Sequence, residues 1–154
     1  MKDVRKIKIE DTYALRHQIL RPHQTIDQCR YPGDFDELTA HLGIFEADEL
    51  VGILSIYKVQ NNEIEIPDSW QLRAMATSTG ARGKGYGFKL LNAAEVYASQ
   101  HQALCIWANA RVSALGFYQK ANNNNNKWTV IVREEALVSC SHFRRMIEQG
   151  CYSV

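Results

Sequence analysis

Apolar and polar residues alternate over Val4-Arg5-Lys6-Ile7-Lys8-Ile9, a pattern that predicts a first strand. Asp11 follows as a cap for a helix with Ala14, Leu15 and Ile19 on one side, and Pro22 stops that helix. A polar stretch with the turn signal Tyr31-Pro32-Gly33-Asp34 comes next. It is the longest irregular segment of the chain, and such loops in compact domains tend to carry function. Thr39 to Phe45 and Leu50 to Val59, separated by Glu46-Ala47-Asp48-Glu49, predict an antiparallel hairpin. Trp70 to Thr77 reads as a fourth strand. A helix from about Gly85 to His101 places Leu90, Leu91, Ala94, Tyr97 and Ala98 on one face. Ala103-Leu104-Cys105-Ile106-Trp107-Ala108 is nearly continuous in apolar residues, as in a strand buried on both faces. Asn109 is placed to cap a helix from Ala110 to about Lys120. The asparagine run Asn122 to Asn126 reads as a loop, and Lys127 to Arg133 and Phe143 to Ile147 read as closing strands.

The resulting order is a hairpin-type sheet followed by a β-α-β unit with a right-handed crossover. It predicts a mixed α/β fold with helices on both faces of one sheet. The 154 residues suit one domain spanning 1–154, with no repeats. Basic and acidic residues number 18 and 17, for a net charge of +1, which argues against a dedicated nucleic-acid partner. No apolar run approaches the roughly 20 residues of a membrane span. The N-terminus shows no secretory pattern, so a cytoplasmic location is expected. Cys29, Cys105, Cys140 and Cys151 lack zinc-type spacing and read as reduced thiols; no metal is expected.

The chemistry concentrates in Ala81-Arg82-Gly83-Lys84-Gly85-Tyr86-Gly87-Phe88, between the fourth strand and the long helix. Glycines at alternate positions let backbone N–H groups close on an anion, and the helix N-terminus adds the positive end of its dipole. Strand, glycine loop and helix make a phosphate cradle. The spacing Gly83-x-Gly85-x-Gly87 departs from the dinucleotide fingerprint, and Gly80 to Gly83-Lys84 is too short for a P-loop.

Arg82-x-x-Gly85-x-Gly87 resembles the acyl-CoA loop of the GNAT superfamily of N-acetyltransferases. Leu72-Arg73-Ala74-Met75-Ala76-Thr77 looks like the strand that enters that loop. Asn109-Ala110-Arg111-Val112-Ser113-Ala114-Leu115-Gly116-Phe117-Tyr118-Gln119-Lys120 resembles the second family motif, Asn-x-x-Ala-x-x-Phe-Tyr-x-Lys. Leu15-Arg16-His17 with Leu20-Arg21-Pro22, and His142-x-x-x-Met146, resemble the ends of small bacterial members. After Lys120 the chain departs from the family, with Ala121 and the asparagine run where a small residue and Gly-Phe are common.

The resemblance implies a GNAT-like acyl-CoA acyltransferase fold. Its central, mostly antiparallel mixed sheet has six or seven strands, with a bulge in the fourth and a splay between the fourth and fifth. It implies acetyl-CoA as cosubstrate and direct attack by a primary amine in a ternary complex. Arg82, Gly83, Lys84, Gly85, Tyr86 and Gly87 would hold the pyrophosphate, and Met75, Ala76 and Thr77 would line the pantetheine arm. The Met75 N–H would polarise the thioester carbonyl. Asn109, Ala114 and Lys120 would contact the cofactor, with a helix cap and core packing as structural alternatives for Asn109 and Ala114. Tyr118 would protonate the leaving thiolate, or else pack in the core beside Phe117. The general base is open among Glu46, Glu63, Glu65, His41, His142 and a water chain. The acceptor, a small molecule or a peptide, would lie along Arg16 to Asp34, the opening hairpin and the C-terminal strands, with Tyr31, Trp70 and His142 as lining candidates. Transfer of a longer acyl group and a non-catalytic CoA-binding module are the alternatives, and a homodimer is left open.

Overall fold

The computed structural model describes residues 4–62, 66–110, 112–124 and 130–134. The chain divides into two compact units, Met1–Tyr57 with Leu72–Tyr97, and Lys58–Gln71 with Ala98–Val154.

The first unit opens with strand β1 (Val4–Lys6) and helix α1 (Ile9–Leu15). The first strand is shorter than its alternation predicts, because Ile9 opens the helix and is buried there. Asp11 acts from inside the first turn rather than at the cap: its Oδ2 accepts the Lys8 N–H at 3.1 Å. A π-type turn, Arg16–Leu20, continues α1 and closes with the Arg21 N–H donating to Arg16 O at 3.0 Å, before Pro22.

Strands β2 (Ala40–Glu46) and β3 (Glu49–Tyr57) form the expected antiparallel hairpin, and β1 pairs antiparallel with β2. The connecting turn is Ala47-Asp48 alone, both with positive φ (48 and 66), the primed geometry that two-residue hairpins require. Ile44 faces Gly52 and Phe45 faces Leu50, so Val51 is an extra residue in β3. The Val51 carbonyl accepts the Ser78 N–H at 2.8 Å, tying the exit of strand β4 (Ser69–Thr77) to the bulge. A Cβ at Gly52 would stand 2.9 Å from Ile44 Cγ2 and 3.2 Å from Leu90 Cδ1 of helix α2 (Tyr86–Gln100), so a side chain here would crowd the Ile44 methyl and press on the Leu90 tip. Leu15, Ile53 and Ala76 are buried together, with Ile7, Ile19, Leu20 and Leu50 packed around them. The apolar face read for α2 is buried at Leu90, Leu91, Ala94 and Ala98, while half-buried Tyr97 donates its hydroxyl to Leu38 O at 2.8 Å.

The second unit holds strand β5 (Cys105–Ala110), helix α3 (Leu115–Asn124) and strand β6 (Val130–Glu134), with β5 and β6 parallel. Antiparallel and parallel pairing thus both occur, and the fold is mixed α+β with six strands among the described residues. Trp70 is fully buried against His101, at 5.7 Å between ring centroids, which makes it core rather than acceptor lining. Trp107 donates its indole N–H to Val59 O at 2.9 Å.

Two expectations are corrected here. Asn109 is an exposed residue within β5 and caps nothing, because a 3-10 turn, Val112–Ala114, intervenes before α3 begins. Asn122 to Asn124 extend α3 instead of forming a loop. Phe143 to Ile147 lie outside the described residues. Among the described residues no helix is long and apolar enough to cross a membrane. No group of three or more His, Cys, Asp or Glu among them could hold a metal.

Candidate active site

Strand β4 carries the first irregularity that the site needs. Ala74 sits in the left-handed region at φ 55, inside an otherwise extended run. Nothing in alanine favours this conformation, which costs about 1–2 kcal/mol. Its neighbours hold it there: Ala76 is buried with Leu15 and Ile53, while Met75 and Thr77 are half-buried. Ala76 therefore meets any ligand through its main chain alone. The kink re-aims the backbone immediately before Met75.

The chain leaves β4 through a 3-10 turn, Thr79–Ala81, whose Ala81 is buried. Arg82 folds back, its Nε donating to Thr77 O at 3.4 Å. Gly83 and Gly85 both take positive φ, 77 and 79. A Cβ at either would meet no atom within 4 Å, so backbone conformation rather than crowding demands glycine, and open space lies in front of the turn. Helix α2 starts at Tyr86, whose buried ring anchors its first turn, and Gly87 is half-buried. The Lys89 N–H donates to Gly85 O at 3.3 Å. Open space, left-handed glycines, a helix N-terminus and two basic side chains suit a diphosphate.

Lys84 Nζ lies 3.0 Å from Glu46 Oε1 and 3.2 Å from Oε2. Both side chains are partly exposed, and such surface pairs contribute about 0–1 kcal/mol, so an arriving phosphate competes easily for the ammonium. Glu46 already has a cation beside it, which suits it poorly to act as a base.

In the second unit, the Asn109 side chain is exposed, Ala114 is half-buried and Lys120 is exposed. Tyr118 is 6% exposed on α3, its ring edge-on to Phe117 at 5.1 Å between centroids. Burial pushes its phenol up to about 12. The structure thus brings Met75, Ala76, Thr77, Arg82, Gly83, Lys84, Gly85, Tyr86 and Gly87 together along one strand–turn–helix passage of the first unit. Asn109, Ala114, Tyr118 and Lys120 share the β5–α3 passage of the second.

A buried polar network in the first unit escaped the sequence reading. Arg16, fully buried, makes a two-point ion pair with Asp34, at 2.8 Å (Nη1 to Oδ2) and 3.0 Å (Nη2 to Oδ1). It also donates to Cys29 O at 2.9 Å, Ser55 Oγ at 3.1 Å and Tyr57 Oη at 3.1 Å. The Tyr57 hydroxyl donates to Asp34 Oδ1 at 2.6 Å, and the Tyr31 N–H to Oδ2 at 2.8 Å. Burial alone would raise the Asp34 carboxyl, but the Arg16, Tyr31 and Tyr57 hydrogen bonds together hold it below the usual carboxylate range. His41 binds through both ring nitrogens, Nδ1 to Ser55 Oγ at 2.7 Å and Nε2 to Asp34 O at 2.9 Å. Burial first, and Arg16 beside it, lower its basicity. A backbone carbonyl only accepts, so Nε2 carries the proton and Nδ1 accepts from Ser55. That arrangement removes His41 from the candidate bases. Glu63, Glu65 and His142 lie outside the described residues.

Above this network, Tyr31 is sandwiched by cations. The guanidinium carbons of Arg16 and Arg73 are each 4.5 Å from its ring centroid, and that of Arg21 is 5.0 Å away. Arg21 Nε also donates to Tyr31 Oη at 2.9 Å, and its Nη1 to Gln24 Oε1 at 2.7 Å. The one visible signal for Arg73 is a charge inside an apolar strand.

Cys29 and Cys105 carry free, buried thiols, and burial pushes Cys105 up to about 11, far from a working nucleophile. Cys140 and Cys151 lie outside the described residues.

Comparison with known proteins agrees with the motifs. Residues 2–122 match the profile of the Acetyltransferase (GNAT) family. A Bacillus subtilis (strain 168) protein named uncharacterized N-acetyltransferase YitI is 38% identical over 120 residues, covering 78% of this chain and 80% of that one. Among solved structures, the aminoglycoside N-acetyltransferase AAC(6')-Iy in complex with CoA is similar at TM-score 0.68 and 13% identity, over 90% of this chain and 93% of its own. Glucosamine-6-phosphate N-acetyltransferase from Arabidopsis thaliana is similar at TM-score 0.61 and 16% identity, over 82% and 93%.

Proposed function

Because the chain belongs to the acetyltransferase (GNAT) family and is an N-acetyltransferase, we propose that it passes an acetyl group from acetyl-CoA directly to a primary amine within a ternary complex. The observation that carries this reading is the Arg82–Gly85 turn, with two left-handed glycines facing open space at the mouth of α2. Main-chain N–H groups there hold the pyrophosphate without a metal, and Arg82 and Lys84 add positive charge. In this reading the Met75 N–H, next to the Ala74 kink, polarises the thioester carbonyl oxygen, where negative charge develops during attack.

Tyr118 donates a hydrogen bond to the leaving sulfur. A phenol pushed up to about 12 stays protonated at any working pH. A thiol of ordinary acidity titrates near ~8.5, so its thiolate is the weaker base. Tyr118 therefore steadies the departing thiolate as a hydrogen-bond donor and keeps its own proton, and the released thiolate takes up a proton from water to the extent the pH allows. No cysteine nucleophile is needed. His41 and Glu46 are already engaged, so the amine loses its proton to one of the other candidates, Glu63, Glu65, His142 or a water chain.

The test is release of free thiol from acetyl-CoA over a panel of amines. Tyr118→Phe lowers turnover roughly a hundredfold and leaves acetyl-CoA affinity nearly intact. Unchanged turnover would remove Tyr118 from this role. Longer acyl-CoAs in the same assay define the acyl preference.

A further inference from the structure

The cations around Tyr31 are not equivalent. Arg16 is neutralised by Asp34 through two charge-assisted bonds. Arg21 is bonded to neutral oxygens of Tyr31 and Gln24. Arg73 stacks on the Tyr31 ring. Among the described residues, no carboxylate lies in ion-pair reach of Arg21 or Arg73. Two guanidinium groups thus stand half-buried on one aromatic ring with their charge unbalanced. Like charges gathered in this way repel, and burial strengthens the repulsion. A fold that tolerates the repulsion offers a ready site for an anion, and the planar forks of two arginines fit a carboxylate or a phosphate.

The position of the pair matters as much as its charge. Arg73 lies on β4, two residues before Met75 and next to the Ala74 kink. Arg73 thus stands two positions before the Met75 N–H on the same strand, a separation suited to a short aliphatic amine with an acid at its far end. Arg21 comes from the end of the π-type turn, and Tyr31 from the irregular segment that follows it.

We propose that Arg21 and Arg73, held on the Tyr31 ring, form a subsite for an anionic oxygen group of the acceptor, a carboxylate or a phosphate monoester, so that the substrate is a small amine bearing an acid. This rests on the acetyl-transfer reading above and narrows it. Arg16 and Asp34 act as positioning residues: they fix Tyr31 from below through the Arg16 stacking contact and the Tyr31 N–H bond to Asp34.

The experiment uses paired amines that differ only in the acid: glycine against glycinamide, β-alanine against its amide, and O-phosphoethanolamine against ethanolamine. Equilibrium titration of each into the full chain with CoA present measures binding, and thiol release from acetyl-CoA gives KM and kcat. The acid-bearing member of at least one pair is expected to bind at least tenfold more tightly. Arg73→Gln and Arg21→Gln are expected to erase that preference, raising KM more than they lower kcat, and Arg73→Lys to restore part of it. The pairs that respond separate carboxylate from phosphate. Equal binding within every pair, no binding by any member, or a preference that survives both glutamine substitutions overturns the subsite. Titration of acetyl-CoA into the wild type is read separately: its failure counts against the acetyl-transfer reading and leaves the titration of the paired amines to judge the subsite.

Discussion

Asp34 gathers the buried polar groups of the first unit, accepting from Arg16, Tyr57 and the Tyr31 N–H. Removing one partner of such a pair leaves a buried charge uncompensated, so Asp34→Asn should cost about 3–5 kcal/mol in urea unfolding at neutral pH. A cost below about 1 kcal/mol would contradict the network. The sign of the pH dependence follows from the directions of the shifts. Asp34 is held low, so its contribution is complete above the unfolded carboxylate value near ~3.9 and fades as pH falls through its lower folded value. His41 is also held low, by burial first, so the unfolded state takes up its proton first, near ~6.5, and stability declines as pH drops below that point. Both groups make acid destabilising, and Asp34→Asn should flatten the steeper fall below about pH 4. None of this network was legible in advance. Arg16 directly follows the last residue of α1, Leu15, and its partner stands 18 positions away, brought to it only when the Tyr31–Asp34 turn folds back.

Elements were easier to read than pairings, because periodicity reports burial directly. The run from β4 through the glycine turn into α2 changes from strand to helical spacing at the glycines, and the structure changes there too. The reading failed where a strand ended by surfacing. Asn109 follows the apolar run and looks like a cap, yet it is the exposed position of a strand that continues to Ala110. The asparagine run failed in the opposite sense. No Pro or Gly intervenes after Gly116, and a weak helix preference is not a stop signal, so α3 runs on to Asn124. The hairpin turn shows what a local mismatch leaves in reserve. Ala47 and Asp48 both occupy left-handed backbone, where Asn-Gly is the preferred pair. Replacing both, Ala47→Asn with Asp48→Gly, should stabilise by about 1 kcal/mol and raise Tm by about 2–4 °C. An unchanged or lower Tm would argue against the primed turn.

For the whole molecule, the family match runs over residues 2–122 and therefore through both compact units. We propose that the chain is a single domain over 1–154, which predicts one cooperative thermal transition. Saturating acetyl-CoA, at about a hundred times its Kd, should raise the midpoint by roughly 5–10 °C. Two separate transitions, only one of them moved by acetyl-CoA, would contradict the single domain. At this scale the two motifs, in their order, carried the family and the fold. The acceptor was not legible, because the residues proposed to choose it, Arg21, Tyr31 and Arg73, meet only in three dimensions. The account turns on the glycine passage, and titrating acetyl-CoA into the wild type and Gly85→Val tests it most directly. Valine at φ 79 disturbs the turn while meeting no neighbouring atom within 4 Å at its Cβ. The account predicts wild-type binding weakened at least tenfold in Gly85→Val with the far-ultraviolet spectrum unchanged, and equal affinity in the two proteins would contradict it.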